Sequence, residues 1–243
     1  MVRQVSGSTD EQALARFLRW YRRPEVGGHA LRKEPRPSSW NRATDPDQVR
    51  LREYLDDTAE LIADSAANSA PWTLALNVGL PAGRSLHAAA DLDNYGLPVA
   101  SRLRNGHLVS VWCAKRHAAV STIAAEPAEE TSSPADVHAV RTSVAADTTA
   151  YKEKVRDAVS TADELPEGDV QLQIAFATGP GRNWLNLWKP TIDALDPILG
   201  RSQPEREWHP QDGRIVDLGL HVHQDVSLVH DVVIGIAART QAD

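Results

Sequence analysis

Two aspartates and an asparagine stand together in Asp91-Leu92-Asp93-Asn94, after an apolar run at 73–80 that predicts a strand. Residues two apart on an extended chain point to the same side, so Asp91 and Asp93 are placed to share one hard divalent cation. A lysine one helical turn onward would help to neutralise a phosphoryl transition state. A third carboxylate on the next strand would complete a metal site for phosphodiester hydrolysis. The motif therefore predicts metal-dependent chemistry on a phosphodiester.

A second region of the chain carries the missing groups. Asn183 to Leu195 has the sequence N-W-L-N-L-W-K-P-T-I-D-A-L, and Gln211-Asp212-Gly213-Arg214-Ile215 follows it. These segments, with Asp91-Leu92-Asp93-Asn94, resemble the RusA family of Holliday junction resolvases, whose pattern is D-x-D-N-x-x-K-P-x-x-D-A-L followed by D-D-x-Q-I. The resemblance covers about residues 72–124 and 170–238, and N-x-x-K-P-x-x-D-A-L is its most specific part.

The resemblance implies a Mg²⁺- or Mn²⁺-dependent endodeoxyribonuclease that acts on branched or structured DNA. The implied metal ligands are Asp91, Asp93 and Asp212, and Lys189 joins them as a catalytic residue. The side chains expected to contact DNA are Asn94 and Asn186 of the motifs and Arg19, Arg22 and Arg23 near the start of the chain.

Each copy of the motif departs from the family pattern. The second copy has Asn183 and Leu185 in place of the leading aspartates, and the first has Leu97 in place of the lysine. The strand that follows the first copy offers no carboxylate. Because family members act as homodimers, a tandem duplication would give a pseudo-dimer within one chain, with one composite site. The alternative is a catalytically degenerate RusA-like module that binds DNA or a protein partner without cutting.

The elements around the motifs support a duplication. Each half predicts the order helix, strand, loop, Leu-Asn, helix, strand, strand, with Asn94 and Asn186 at equivalent points. The predicted helices begin with a cap at Asp45, covering 46–67, and at about Thr148. The expected fold class is α/β (α+β), with two related units of small mixed sheet plus helices. The predicted division is a basic N-terminal helix and linker at 1–45, unit one at 46–128 and unit two at 129–243.

Composition limits the function classes. The net charge is −7, which argues against a generic nucleic-acid binder, but residues 1–45 carry +4 and the remainder −11. The single cysteine, Cys113, excludes an internal disulfide and is expected in the core. With no apolar signal core and no run long enough for a bilayer, we expect a cytoplasmic protein without membrane contact.

Several other residues allow two interpretations. His221 and His223 alternate on a predicted strand, as a zinc or manganese site requires, but a solvated strand face is favoured. The aromatic residues Trp20, Tyr21 and Trp40 would stack on bases or, more plausibly, anchor the N-terminal segment.

The residues around the second motif are equally open. Trp184 and Trp188 would stack on a base or bury against a neighbouring layer. Lys189 would meet a phosphate at the start of its helix or pair with Asp193.

Overall fold

The computed structural model describes residues 9–25, 28–39, 41–63 and 70–241, so Trp40 and the predicted helix end at 64–67 lie outside the described residues. The fold is mixed α+β, as predicted, with an eight-stranded mixed sheet and a separate two-stranded one. The strands are β1 (Trp20–Tyr21), β2 (His29–Ala30), β3 (Trp72–Leu80), β4 (Leu108–His117), β5 (Thr122–Pro127), β6 (Glu130–Thr131), β7 (His138–Thr142), β8 (Val170–Thr178), β9 (Ile215–Gln224) and β10 (Val232–Thr240). The helices are α1 (Thr9–Ala15), α2 (Pro46–Leu61), α3 (Leu92–Leu103), α4 (Thr149–Val159), α5 (Trp188–Asp193) and α6 (Asp196–Leu199).

The two longer predicted helices form at their predicted starts. Asp45 accepts a hydrogen bond from the Asp47 backbone N–H, and the Thr148 hydroxyl accepts one from the Tyr151 N–H. Each side chain thereby satisfies a backbone donor that the first turn leaves free. The apolar positions of α4, Tyr151 and Val155, are fully buried, which explains why this helix packs on the sheet.

The strand order of the large sheet is β2-β5-β3-β4-β9-β8-β10-β7, and it repeats one arrangement twice. In each half the central strand pairs in parallel with the strand after the next helix and antiparallel with the last strand: β3 with β4 and β5, and β8 with β9 and β10. A short strand ahead of the first helix completes each edge, β2 against β5 and β7 against β10. The two halves therefore share topology, although their RusA-like character stays a prediction.

The register supports the same equivalence. The pairing of β3 with β4 shifts between Trp72 and Thr73, and that of β8 with β9 shifts between Val170 and Gln171, one residue into each central strand. Aligned at these irregularities, Trp112 of β4 corresponds to Gly219 of β9, and these two residues pair with each other where the halves join. A pseudo-twofold axis thus passes through the antiparallel β4–β9 contact.

The two faces of the large sheet pack against different parts of the chain. Alternate residues of β8, Leu172, Ile174 and Phe176, belong to the large core under the helices, whereas Ala175 and Ala177 face the opposite side. There they pack against the N-terminal segment, including Trp20. The burial of Trp20 and Tyr21 confirms that these aromatics anchor the segment to the body.

The N-terminal helix is shorter than predicted. We expected an apolar helical stripe that reaches Tyr21, but α1 ends at Ala15, and Trp20 and Tyr21 pair with Thr131 and Glu130 in the two-stranded sheet. Strand pairing and burial against the large sheet outweigh the helical spacing.

Candidate active site

The first motif begins a helix. Asp91 holds the N-cap position of α3 in an extended conformation, and Asp93 lies in the first turn. The expectation that Asp91 and Asp93 lie on an extended chain is wrong, because α3 begins at Leu92 and includes Asp93. Asp91 is half-buried and accepts a weak hydrogen bond from Asn94 Nδ2 at 3.4 Å, whereas Asp93 is only 3% exposed. Burial raises the pKa of Asp93, because removal from water disfavours the charged form of the carboxylate.

Asp212 comes to the same place from the other half of the chain. It begins a 3₁₀ turn, Asp212–Arg214, immediately before β9. Burial first, and then the Asp91 carboxylate, raise the pKa of Asp212 to about 7. The Arg214 guanidinium fixes this turn by donating to the carbonyl oxygens of Pro166, Gly168 and Leu199. A rigid turn thus holds Asp212 beside the start of α3.

Lys115 was missed in the sequence and lies at the centre of this arrangement. It is 1% exposed, and its Nζ donates to the Gly213 carbonyl oxygen at 3.0 Å. Burial lowers its pKa, against the opposing effect of Asp91 and Asp212. The sequence does carry a signal for Lys115, because Val111, Cys113 and Lys115 alternate on one face of β4. The predicted strand ends at Cys113 and so leaves Lys115 out.

Lys189 approaches the carboxylates from α5. Its side chain is 46% exposed and donates to Asp193 Oδ1 at 3.2 Å, which confirms the predicted pairing. Burial works to lower the pKa of Lys189, but the carboxylates of Asp93 and Asp193 outweigh it and raise the pKa. Lys152 also donates to Asp193, at 2.7 Å. Lys189 therefore keeps its charge next to Asp93 while Asp193 limits its movement.

We call Asp91, Asp93, Asp212, Lys115 and Lys189 the composite site, because both halves contribute to it. Its carboxylates are partly or fully buried, and the pKa of both Asp93 and Asp212 is raised. Carboxylate oxygens are the donors that Mg²⁺ takes, and a hard divalent cation would relieve the repulsion among them. The donor chemistry suits such an ion, but among the described residues no group of three or more His, Cys, Asp or Glu is placed closely enough to hold one.

The pseudo-twofold axis gives the composite site an equivalent, which we call the counterpart site: Asn183, Leu185, Asn105 and Arg104. Asn183 holds the N-cap position of the 3₁₀ turn Trp184–Leu187 as Asp91 holds that of α3, although only the Asn183 side chain accepts a hydrogen bond from the turn, from the Leu185 N–H. Asn105 stands ahead of β4 as Asp212 stands ahead of β9. Arg104, next to Asn105, donates to Asn183 Oδ1 at 2.9 Å, so these segments also meet. The counterpart site has the geometry of the composite site without its carboxylates.

The two motif asparagines occupy matching positions. Asn94 donates to Asp91, and Asn186 accepts from Asn183 Nδ2 at 3.1 Å, each bridging back to the capping residue of its helical turn. Asn186 is exposed and Asn94 half-buried. Both asparagines therefore lie beside a site.

The arginines of the N-terminal segment have partners within the protein. Arg23 forms an ion pair with the buried Asp217 and donates to Asn77 Oδ1 at 2.9 Å. Arg22 lies 3.4 Å from Glu129, and Arg19 lies 3.8 Å from Glu130. Arg23 thus fastens the segment to the sheet, whereas Arg19 and Arg22 remain at the surface.

The histidine prediction is wrong in one respect. His221 is not on a solvated face; it is fully buried, with Trp20 and Trp112 at 5.6 and 5.3 Å between ring centroids and Ser110 Oγ 3.0 Å from its Nδ1. The N-terminal segment covers the strand face that the sequence left open. His223 is half-buried and belongs to a different environment.

The remaining alternatives are settled by burial. Trp184 and Trp188 pack edge to face at 5.1 Å and are 8% and 0% exposed, so they are core residues. Cys113 is fully buried, as predicted.

Comparisons with known protein families, curated proteins and solved structures find no match. In the part of the chain that the structure describes, no helix has both the length and the apolar character needed to span a bilayer.

Proposed function

We propose that this protein is a Mg²⁺-dependent endodeoxyribonuclease that hydrolyses a phosphodiester in branched or structured DNA. One observation carries the proposal. The residues that the RusA resemblance divides between two incomplete motifs lie near enough to shift one another's pKa: Asp91 and Asp93 from the first half, Asp212 and Lys189 from the second. Antiparallel pairing of β4 with β9 joins the two halves that carry them.

The roles follow from burial and charge. Asp91, Asp93 and Asp212 would hold the metal ion, which when bound supplies a Lewis acid for the phosphate and an activated water. Lys189, exposed and kept protonated by its neighbours, is placed to contact a phosphate oxygen as negative charge develops. Lys115 is a positioning residue, because its hydrogen bond to Gly213 holds the Asp212 turn against β4.

A second candidate is a RusA-like module that binds DNA or a protein without cutting. It is favoured by the Lys189–Asp193 ion pair, which occupies the ammonium, and by the loss of both leading aspartates at Asn183 and Leu185. The acidic body of the chain points the same way, because it repels DNA outside the contact surface.

The test is incision of a labelled four-way DNA junction with Mg²⁺ or Mn²⁺. The native protein is compared with Asp91→Asn plus Asp93→Asn, and with Asp157→Asn plus Asp163→Asn, which removes the same charge from exposed positions. The proposal expects cutting by the native protein and the control pair and none by the first variant. Binding without cutting, unchanged by either pair of substitutions, would establish the second candidate instead.

A further inference from the structure

The counterpart site has changed charge as well as lost its acids. Positions equivalent to Asp91, Asp93 and Asp212 carry the uncharged Asn183, Leu185 and Asn105. Arg104 is exposed here and uses one N–H on Asn183, so the rest of its guanidinium is available to a ligand. The composite site repels anions until a cation binds, whereas the counterpart site attracts them without one.

A cavity opens at the counterpart site. It has a volume of about 800 Å³, and its walls include Arg104, Arg182, Asn183, His223 and Gln224, with Glu130 as its one acidic member. Glu130 lies 3.8 Å from Arg19, which offsets its charge. Hydrogen bonds to the backbone oxygens of Val144 and His230, both 3.0 Å, hold the Arg182 guanidinium in place. The cavity thus combines Arg182, which is held in place, with Arg104, which keeps unused N–H donors, and with side-chain amides. These are the groups that bind a phosphodiester.

A second cavity adjoins the first and is lined by one residue of the composite site. It has a volume of about 710 Å³, shares Arg182 and Asn183 with the first, and includes Lys189 in its wall. Lys152 and Asn186 lie along it, with Asp147 and Asp193 as the acids. A DNA strand that enters at Lys189 thus has a path with cationic and amide groups to Arg104.

From this geometry we infer that the counterpart site binds a DNA phosphodiester without cutting it, so that the protein incises one strand of the bound substrate. The binding of a phosphodiester is inferred from the counterpart cavity, and the incision of a single strand rests on the proposed nuclease function. The carboxylates needed to hold a metal ion are absent at the counterpart site, where Asn183, Leu185 and Asn105 stand in their place.

The binding experiment uses a labelled four-way junction in EDTA, so that affinity is measured without cleavage. Arg104→Ala is expected to weaken binding about tenfold, and to reduce the steepness of log affinity against log salt by about one. Arg104→Lys, which keeps the charge, should restore most of the affinity. Arg102→Ala is the matched control, because Arg102 is exposed on the same helix end and pairs with Asp56 at 3.2 Å outside the cavity. Equal affinity of native protein and Arg104→Ala would overturn the inference.

The incision experiment uses a supercoiled plasmid with an extruded cruciform and Mg²⁺. Nicked circles are expected as the first product, and linear DNA at the first turnover would overturn the single-incision claim. If no incision occurs, the proposed nuclease function fails, and the binding experiment still decides whether the counterpart site holds DNA. If incision occurs while Arg104→Ala binds normally, the nuclease stands and the counterpart inference fails.

Discussion

The composite and counterpart sites share a backbone and differ in almost every polar side chain. In one, a helix start carries Asp91 and Asp93, and a turn ahead of a strand carries Asp212; in the other, the same points carry Asn183, Leu185 and Asn105. The fold therefore tolerates either set. The difference teaches that a helical turn begins at this point with or without the carboxylates, as an α-helix at Asp91 and as a 3₁₀ turn at Asn183.

The largest expected effect comes from giving the composite site a side chain of the counterpart site. Asp93→Leu, which introduces the residue type of Leu185, is expected to slow junction incision by about a hundredfold to a thousandfold. Stability should be retained, because the burial that raises the pKa of Asp93 disfavours its charge and suits an apolar side chain.

Incision rates with Mg²⁺ and urea unfolding measure the two parts of this prediction. Leu185→Met serves as the equivalent change in the other half and should leave the rate within about twofold, since such swaps conserve volume. An undiminished incision rate in Asp93→Leu would show that incision does not take place at the composite site.

The next comparison concerns two equivalent pairs across the β4–β9 contact. Ser110 faces His221, and Ala114 faces Asp217, in positions that the pseudo-twofold axis exchanges. Asp217 depends on Arg23, so Arg23→Leu should lower the free energy of unfolding by about 3 kcal/mol by leaving a buried carboxylate poorly paired. Arg116, 3.5 Å from Asp217, limits the loss.

Urea denaturation checks this against Arg22→Leu. Arg22 pairs with Glu129 at the surface, with 53% of its side chain exposed, so its replacement should change stability by no more than about 0.5 kcal/mol. Equal effects of the two substitutions would mean that Arg23 is another surface arginine.

A smaller loss of stability is expected when either of two equivalent glycines, Gly213 and Gly106, is replaced by alanine. A Cβ at Gly213 would lie 2.6 Å from the His87 carbonyl oxygen, whereas Gly106 meets nothing within 4 Å but has a φ of +87°. Gly213→Ala is expected to cost about 1–3 kcal/mol by overpacking, and Gly106→Ala about 1–2 kcal/mol by backbone strain. Only Gly213→Ala should also slow incision, because it displaces the turn that carries Asp212. Equal incision rates for the two variants would contradict the role given to that turn.

The last effect is a pH dependence that one half has and the other lacks. His221 corresponds to Ala114, and burial lowers the pKa of His221 from 6.5 to about 3. Between these pH values the unfolded chain binds a proton that the folded protein does not, so stability falls as the pH falls, by up to about 1.4 kcal/mol per pH unit.

Stability at a series of pH values shows this contribution as a difference between proteins. His221→Leu should flatten the curve between pH 6 and 4 relative to the native chain, while His230→Leu, an exposed control, should not. Parallel curves for native protein and His221→Leu would show that the imidazole charges in the folded state.

Much of the fold was predictable because its signals are local. The cap at Asp45, the helical spacing of apolar residues after Thr148 and the alternation in the strands placed the two longer predicted helices and each of the central strands. The end of α1 was not predictable, since the strand pairing of Trp20 and Tyr21 depends on residues 130–131, far along the chain. The same holds for His221, whose burial comes from that distant segment.

The sequence by itself determined which residues are able to do chemistry and where elements begin, because side-chain type and hydrophobic period act over a few residues. It named Asp91, Asp93, Asp212 and Lys189. Whether they meet was decided by the tertiary structure, because pairing of β4 with β9 joins halves whose site residues are roughly a hundred residues apart. Lys115 lies at the end of a strand that is apolar in the sequence, and the same pairing buries it near Asp91 and Asp212. A charge is retained inside a protein only beside groups that compensate it.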